Sequence, residues 1–188
     1  AEYLPILTEI VNLKRQKAEA LAEAGTYYEA LADEYEPGIS TNDISAMFEE
    51  LRPKLVGLRK EILAQNRIPS VTSNFDKNTQ LNLARELAIT FGYDLNKGRI
   101  DLAIHPFSSG SGNDVRITTR IDPSDPFNCI YSIIHEVGHA TYEQNINRDY
   151  DFTPLGQGVS LGVHESQSRI FENQLGRSRA FTGWLFHR

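Results

Sequence analysis

The stretch Ile133-Ile134-His135-Glu136-Val137-Gly138-His139-Ala140 constrains this chain more than any other. It places three ionisable groups inside a run that is otherwise uncharged. Two histidines at i and i+4 stand on one helical face, one turn apart, and Glu136 leans toward the same side. A buried helix cannot hold three such groups unless they bind something, because an unpaired charge is costly away from water. The imidazoles can converge on one metal ion, with Glu136 left to act on a water there. The fold must therefore be built around this helix and must bring a further ligand to it.

The third ligand has to come from later in the chain. An extended H-E-x-x-H-x-x-G-x-x-H pattern is absent, because Tyr142 and Asn145 occupy the glycine and histidine positions. The acidic candidates after His139 are Glu143, Glu165, Glu172, Asp149 and Asp151. Glu143 lies one further turn along the same helix and would point past the ion. Glu165, in His164-Glu165-Ser166-Gln167-Ser168, sits in an apolar context on the next predicted helix and is the chosen ligand. A competing use of its carboxylate is an i, i+4 ion pair with Arg169.

Periodicity places these segments in a mainly helical chain. Helices are predicted over residues 3–24, 27–35 and 76–91, then 127–144 and 159–175. Between Ser40 and Ile62 the apolar residues Ile44, Met47, Phe48, Leu51, Leu55, Leu58 and Ile62 form the clearest stripe, read as a core face. Ser40 and Asp43 fit a capping box at its start, and Pro53 is expected to kink or divide the helix. Residues 99–105 and 114–121 alternate, are rich in β-branched residues and flank a Ser/Gly loop, which predicts an antiparallel pair of strands. Cys129 reads as a small buried hydrophobe.

Composition narrows the function. With 19 Lys+Arg against 25 Asp+Glu the net charge is −6, and no basic cluster offers a nucleic-acid surface. No apolar run reaches the ~20 residues of a membrane span, and no signal peptide is visible. The single cysteine excludes a disulfide framework and a Cys-based zinc site. A cytoplasmic protein is expected.

Four blocks, in order, complete the reading: His105-Pro106-Phe107, Asp114-Val115-Arg116-Ile117-Thr118, His135-Glu136-Val137-Gly138-His139 and His164-Glu165-Ser166-Gln167. Tyr35-Glu36-Pro37-Gly38 and Gly176-Arg177-Ser178 add to them. Together they resemble the carboxypeptidase Taq family of zinc metallocarboxypeptidases. The resemblance implies a helical zincin-type core with a small antiparallel sheet. It also implies zinc on His135, His139 and Glu165, cobalt as a substitute metal, Glu136 as acid/base, and peptide substrates. His105 and Arg116 become candidate cleft residues, the alternatives being a structural histidine and an ion pair of Arg116 with Asp114 or a neighbouring helix. The strand carrying Arg116 is expected to edge the cleft and hydrogen-bond an extended peptide.

The resemblance is incomplete. The family's I-R-x-x-A-D and G-x-x-Q-D-x-H-W blocks do not occur in this sequence. Residues 1–188 are accordingly read as one domain, a central portion or short form of a longer catalytic fold. The expected function is carboxypeptidase action. The alternative is a catalytically impaired zinc-binding or interaction module. A homodimer or a complementary C-terminal polypeptide is the expected partner.

Overall fold

The computed structural model describes residues 2–22, 25–65 and 73–187. The chain forms two compact units, Ala1–Pro69 and Ser70–Arg188. No helix among the described residues is long and apolar enough to cross a membrane.

The first unit is helical: α1 (Tyr3–Leu21), α2 (Tyr27–Ala32) and α3 (Thr41–Ala64). Thr26 and Glu29 cap α2 reciprocally, and the predicted Ser40/Asp43 box caps α3 in the same way. Glu29 also accepts from the backbone N–H and the hydroxyl of Thr41, tying the start of α3 to α2. These bonds, Thr41's first, hold the Glu29 carboxyl down at about 2. Pro53 lies inside α3 without ending it. It removes one N–H from the ladder, and the turns on either side carry the helix across. The stripe on α3 is a further difference, since Met47, Phe48, Leu51, Leu55, Leu58 and Ile62 are all exposed.

The second unit holds the core. Its elements are α4 (Lys77–Thr90), β1 (Ile100–Leu102), β2 (Ser108–Ser111), β3 (Asp114–Thr119), α5 (Pro126–Gln144), α6 (Leu161–Arg169) and α7 (Arg179–Phe186). Leu87 and Ala88 of α4, Val115 and Ile117 of β3, and Ile133, Ile134, Val137 and Ala140 of α5 are fully buried together, with Cys129 among them. Buried Gln144 ties the end of α5 to the turn after α4, exchanging hydrogen bonds with Asp94 N–H and C=O at 3.0 Å each.

The sheet corrects one expectation. Its order is β1-β3-β2, and β1 runs parallel to β3, with Ile100 opposite Ile117. The antiparallel partner of β3 is β2, formed by the Ser/Gly stretch read as a loop. Gly112 at φ 58° supplies the left-handed first position of a two-residue hairpin turn, so the nearer segment folds back onto β3. β3 is therefore central, paired on both sides, and is not a free edge for a peptide.

Two short 3₁₀ turns, Arg148–Tyr150 and Pro154–Gly156, carry the chain from α5 to α6. The predicted helix over 159–175 is composite. After α6 the backbone widens into a π-helical turn over Ile170–Leu175, in which Gly176 N–H donates to the Phe171 carbonyl at 2.8 Å.

Candidate metal centre

α5 is positioned from its start. Asp125 caps it by accepting from Asn128 N–H, and Pro126 occupies the first turn, where its missing N–H costs nothing. Its apolar side is locked into the core, which leaves His135, Glu136 and His139 facing a common site. α6 is started by Ser160, whose side chain accepts from Val163 N–H. The two helices meet at Gly138, where an added Cβ would lie 2.5 Å from Ser168 Cα and 2.9 Å from the Gln167 carbonyl oxygen. Only the missing side chain permits this approach. Ser168 is fully buried, and its hydroxyl donates to the Glu165 carbonyl at 2.7 Å.

The approach brings Glu165 to the histidines. Its Oε2 lies 3.2 Å from His139 Nε2 and 3.7 Å from His135 Nε2. One donor atom from each of the three residues falls within 4.8 Å of the other two. The other carboxylate oxygen, Oε1, accepts from Arg169 Nε at 2.8 Å. The ion pair and the convergence coexist because the two oxygens divide the work.

Glu136 is 6% exposed. Burial, with the nearby Glu165 charge second, pushes its carboxyl up to about 7. His139 moves the opposite way, down to about 4, because burial and then the neighbouring His164 and His135 disfavour its cation. The pair therefore presents a carboxyl that titrates close to neutral pH beside a neutral imidazole.

Further side chains surround the three. His135 Nδ1 lies 3.0 Å from Glu172 Oε2. Glu172 also accepts from Arg177 Nη2 at 2.8 Å and Arg169 Nη1 at 3.4 Å. Burial raises the Glu172 carboxyl, but the Arg177 and His135 hydrogen bonds outweigh it and leave the group below its ordinary value. On the other flank, His164 stacks on His139 with ring centroids 4.6 Å apart, and its Nε2 lies 2.9 Å from Glu143 Oε1. Glu143 is thus engaged by His164 and is not among the three converging donors.

A cleft of about 650 Å³ opens beside His135 and Glu136. Its walls include His105, Arg120, Phe127, Tyr131 and Arg177. Arg177 lies over the Tyr131 ring, 3.8 Å from its centroid. Arg116 does not line this cleft. It is half exposed on β3 and forms a two-point pair with Asp114 at 2.8 Å per contact. In sequence Glu172 is only a candidate ligand, and its contact with His135 is a finding of the structure. Its spacing of two turns from Glu165 on a single predicted helix was the available signal.

The chain is similar over nearly its whole length to known carboxypeptidases. Thermostable carboxypeptidase 1 of Thermus thermophilus is 41% identical over 200 residues, which span 99% of this chain and 39% of that protein. Carboxypeptidase 1 of Bacillus subtilis is 36% identical, over 95% of this chain and 36% of its own length. The crystal structure of M32 carboxypeptidase from Deinococcus radiodurans superposes with a TM-score of 0.87 at 39% identity, covering 99% of this chain and 38% of that one. Pyrococcus furiosus carboxypeptidase superposes with a TM-score of 0.83 at 38% identity, covering 97% and 38%. The chain thus spans less than two fifths of each of these relatives. With residues 1–188 matching throughout, the chain belongs to the carboxypeptidase Taq (M32) metallopeptidase family.

Proposed function

We propose that this chain carries the zinc centre of a metallocarboxypeptidase, with His135, His139 and Glu165 as ligands and Glu136 as general base. The observation that carries the reading is the convergence of the three donor atoms. Ligand atoms around a tetrahedral ion at ~2.0–2.2 Å stand roughly 3.4 Å from one another. The Glu165–His contacts of 3.2 and 3.7 Å bracket that value. Two imidazoles and one carboxylate, beside an open cleft, form the donor set of a catalytic rather than a closed structural site. When bound, such an ion supplies the Lewis acidity that activates a water and polarises the scissile carbonyl.

The chain's own residues do the rest. Glu136, whose carboxyl burial raises to about 7, accepts the water's proton as the carboxylate and then, as the acid, passes it to the leaving amine. His105, Phe127 and Tyr131 shape the cleft in which an extended peptide would lie. Arg116, paired with Asp114, is assigned no contact with substrate.

The test is release of the C-terminal residue from a blocked dipeptide by zinc-loaded protein, with an amidated dipeptide as control. Turnover of the free acid alone supports carboxypeptidase action, and cleavage of both indicates an endopeptidase. Zinc binding without either would favour the second reading, an impaired metal-binding module. A cytoplasmic location, and a homodimer or a complementary C-terminal polypeptide as partner, belong to the same proposal.

A further inference from the structure

Two glutamate–histidine pairs flank the centre, and they are not equivalent. Glu143 holds His164, which is not among the converging donors. Glu172 holds His135, which is. From this asymmetry, and resting on the metal reading above, we propose that Glu172 is the positioning residue of the centre, fixing the tautomer and ring orientation of His135.

The geometry is that of an outer carboxylate behind a metal-binding imidazole. With Nδ1–H donated to Glu172 Oε2 at 3.0 Å, the lone pair of His135 is left on Nε2. Nε2 is the nitrogen that faces Glu165. The carboxylate is itself held. Arg177 engages Oε1, Arg169 reaches Oε2, and the side chain is only 14% exposed. Arg169 also binds Glu165, so one guanidinium spans the carboxylate facing the ion and the carboxylate behind the imidazole. The π turn places Glu172 there, directly after α6. Phe171, next to it, packs against Phe91 in the opposite direction, with centroids 5.8 Å apart. The anchor is therefore fixed by packing on one side and by two arginines on the other. A carboxylate so held keeps the imidazole from rotating out of register and raises its basicity.

The test uses the full chain and zinc alone, with affinity read by competition against a chromophoric chelator. Glu172→Ala is expected to weaken zinc binding by about 10- to 100-fold, and to shift the visible absorption bands of cobalt-loaded protein. Glu172→Gln keeps the shape and an acceptor but not the charge, and is expected to weaken binding by a smaller factor. Glu143→Gln, the matched change on the other flank, should leave affinity at the wild-type value. Melting of the metal-free proteins separates positioning from folding. Wild-type affinity and an unchanged cobalt spectrum in Glu172→Ala would overturn the inference. So would an affinity loss that merely follows a lower metal-free melting temperature and appears equally in Glu143→Gln. If Glu172→Ala does not fold, Glu172→Gln decides on the same two readouts. Failure of the wild-type chain to bind zinc would instead overturn the metal reading itself, and this inference with it.

Discussion

Gly138 and Ser168 are in backbone contact across α5 and α6, with room for no Cβ between them. Their approach sets how far Glu165 stands from the two histidines. Gly138→Ala adds a methyl against rigid backbone rather than a flexible side chain. It should destabilise the fold by about 1–3 kcal/mol through overpacking, and should weaken zinc binding as α6 is pushed away. Urea unfolding with a parallel zinc titration checks both. Unchanged affinity in a destabilised protein would mean that the approach serves packing alone.

Glu136→Gln separates binding from chemistry. The amide cannot accept a proton at neutral pH, and Glu136 is not among the three converging donors. Zinc content should stay at the wild-type level while turnover falls by about 10²–10⁴-fold. His139→Ala should lose both. Metal analysis beside the dipeptide assay reads the difference, and metal loss in Glu136→Gln would make that residue a ligand.

The same variant reports on pH. In metal-free protein the Glu136 carboxyl is raised from 4.5 to about 7. A raised carboxyl pKa leaves stability intact at low pH and erodes it as pH rises from about 4.5 to 7, where the folded state must hold a buried charge. His139, lowered from 6.5 to about 4, has the opposite sign: its penalty is absent above 6.5 and grows as pH falls toward 4. The His139 contribution is common to both proteins and cancels in their difference. Chelator-treated Glu136→Gln should therefore gain on the wild type between pH 5 and pH 8 in urea denaturation. A difference that is flat with pH would rule out the raised carboxyl.

Phe152 offers a change remote from chemistry. It holds φ 61°, a left-handed backbone that only glycine adopts without strain, and its side chain is fully exposed. Phe152→Gly relieves that strain and forfeits no burial. After the entropy cost of glycine in the unfolded chain, it should stabilise by about 0.5–1 kcal/mol. A thermal melt with no gain would show that the loop holds the aromatic for another reason.

What could be read from the sequence follows from the range of each interaction. Ser40 with Asp43, and His135 with His139, are local pairs whose spacing alone fixes their geometry, and both stand as expected. Glu165 could be chosen from its apolar neighbours in sequence, although Leu161, Val163 and Ile170 stand exposed in the fold. The strand pairing could not, since β1 and β2 compete for the same partner and alternation does not say which lies parallel. The wide turn after Arg169 was equally hidden. Its register differs from an α-helix by one residue per hydrogen bond, and no side-chain pattern marks that shift. The sequence therefore offers Glu172 only as a candidate ligand, although the turn aims it at His135.

The connection between α5 and α6 has its own consequence. It leaves Leu155 and Val159 largely in solvent, and its order depends on how firmly its ends are held. An ion gripping His139 at one end and Glu165 at the other would close this segment as a cross-link does. Because only the folded arrangement binds it, the ion would stabilise the closed segment by mass action, by more the higher the free zinc stands above its dissociation constant. Stripping the metal would then be felt first as local opening. A protease should cut selectively between Asn145 and Ser160 in chelated protein and spare that segment once zinc is restored.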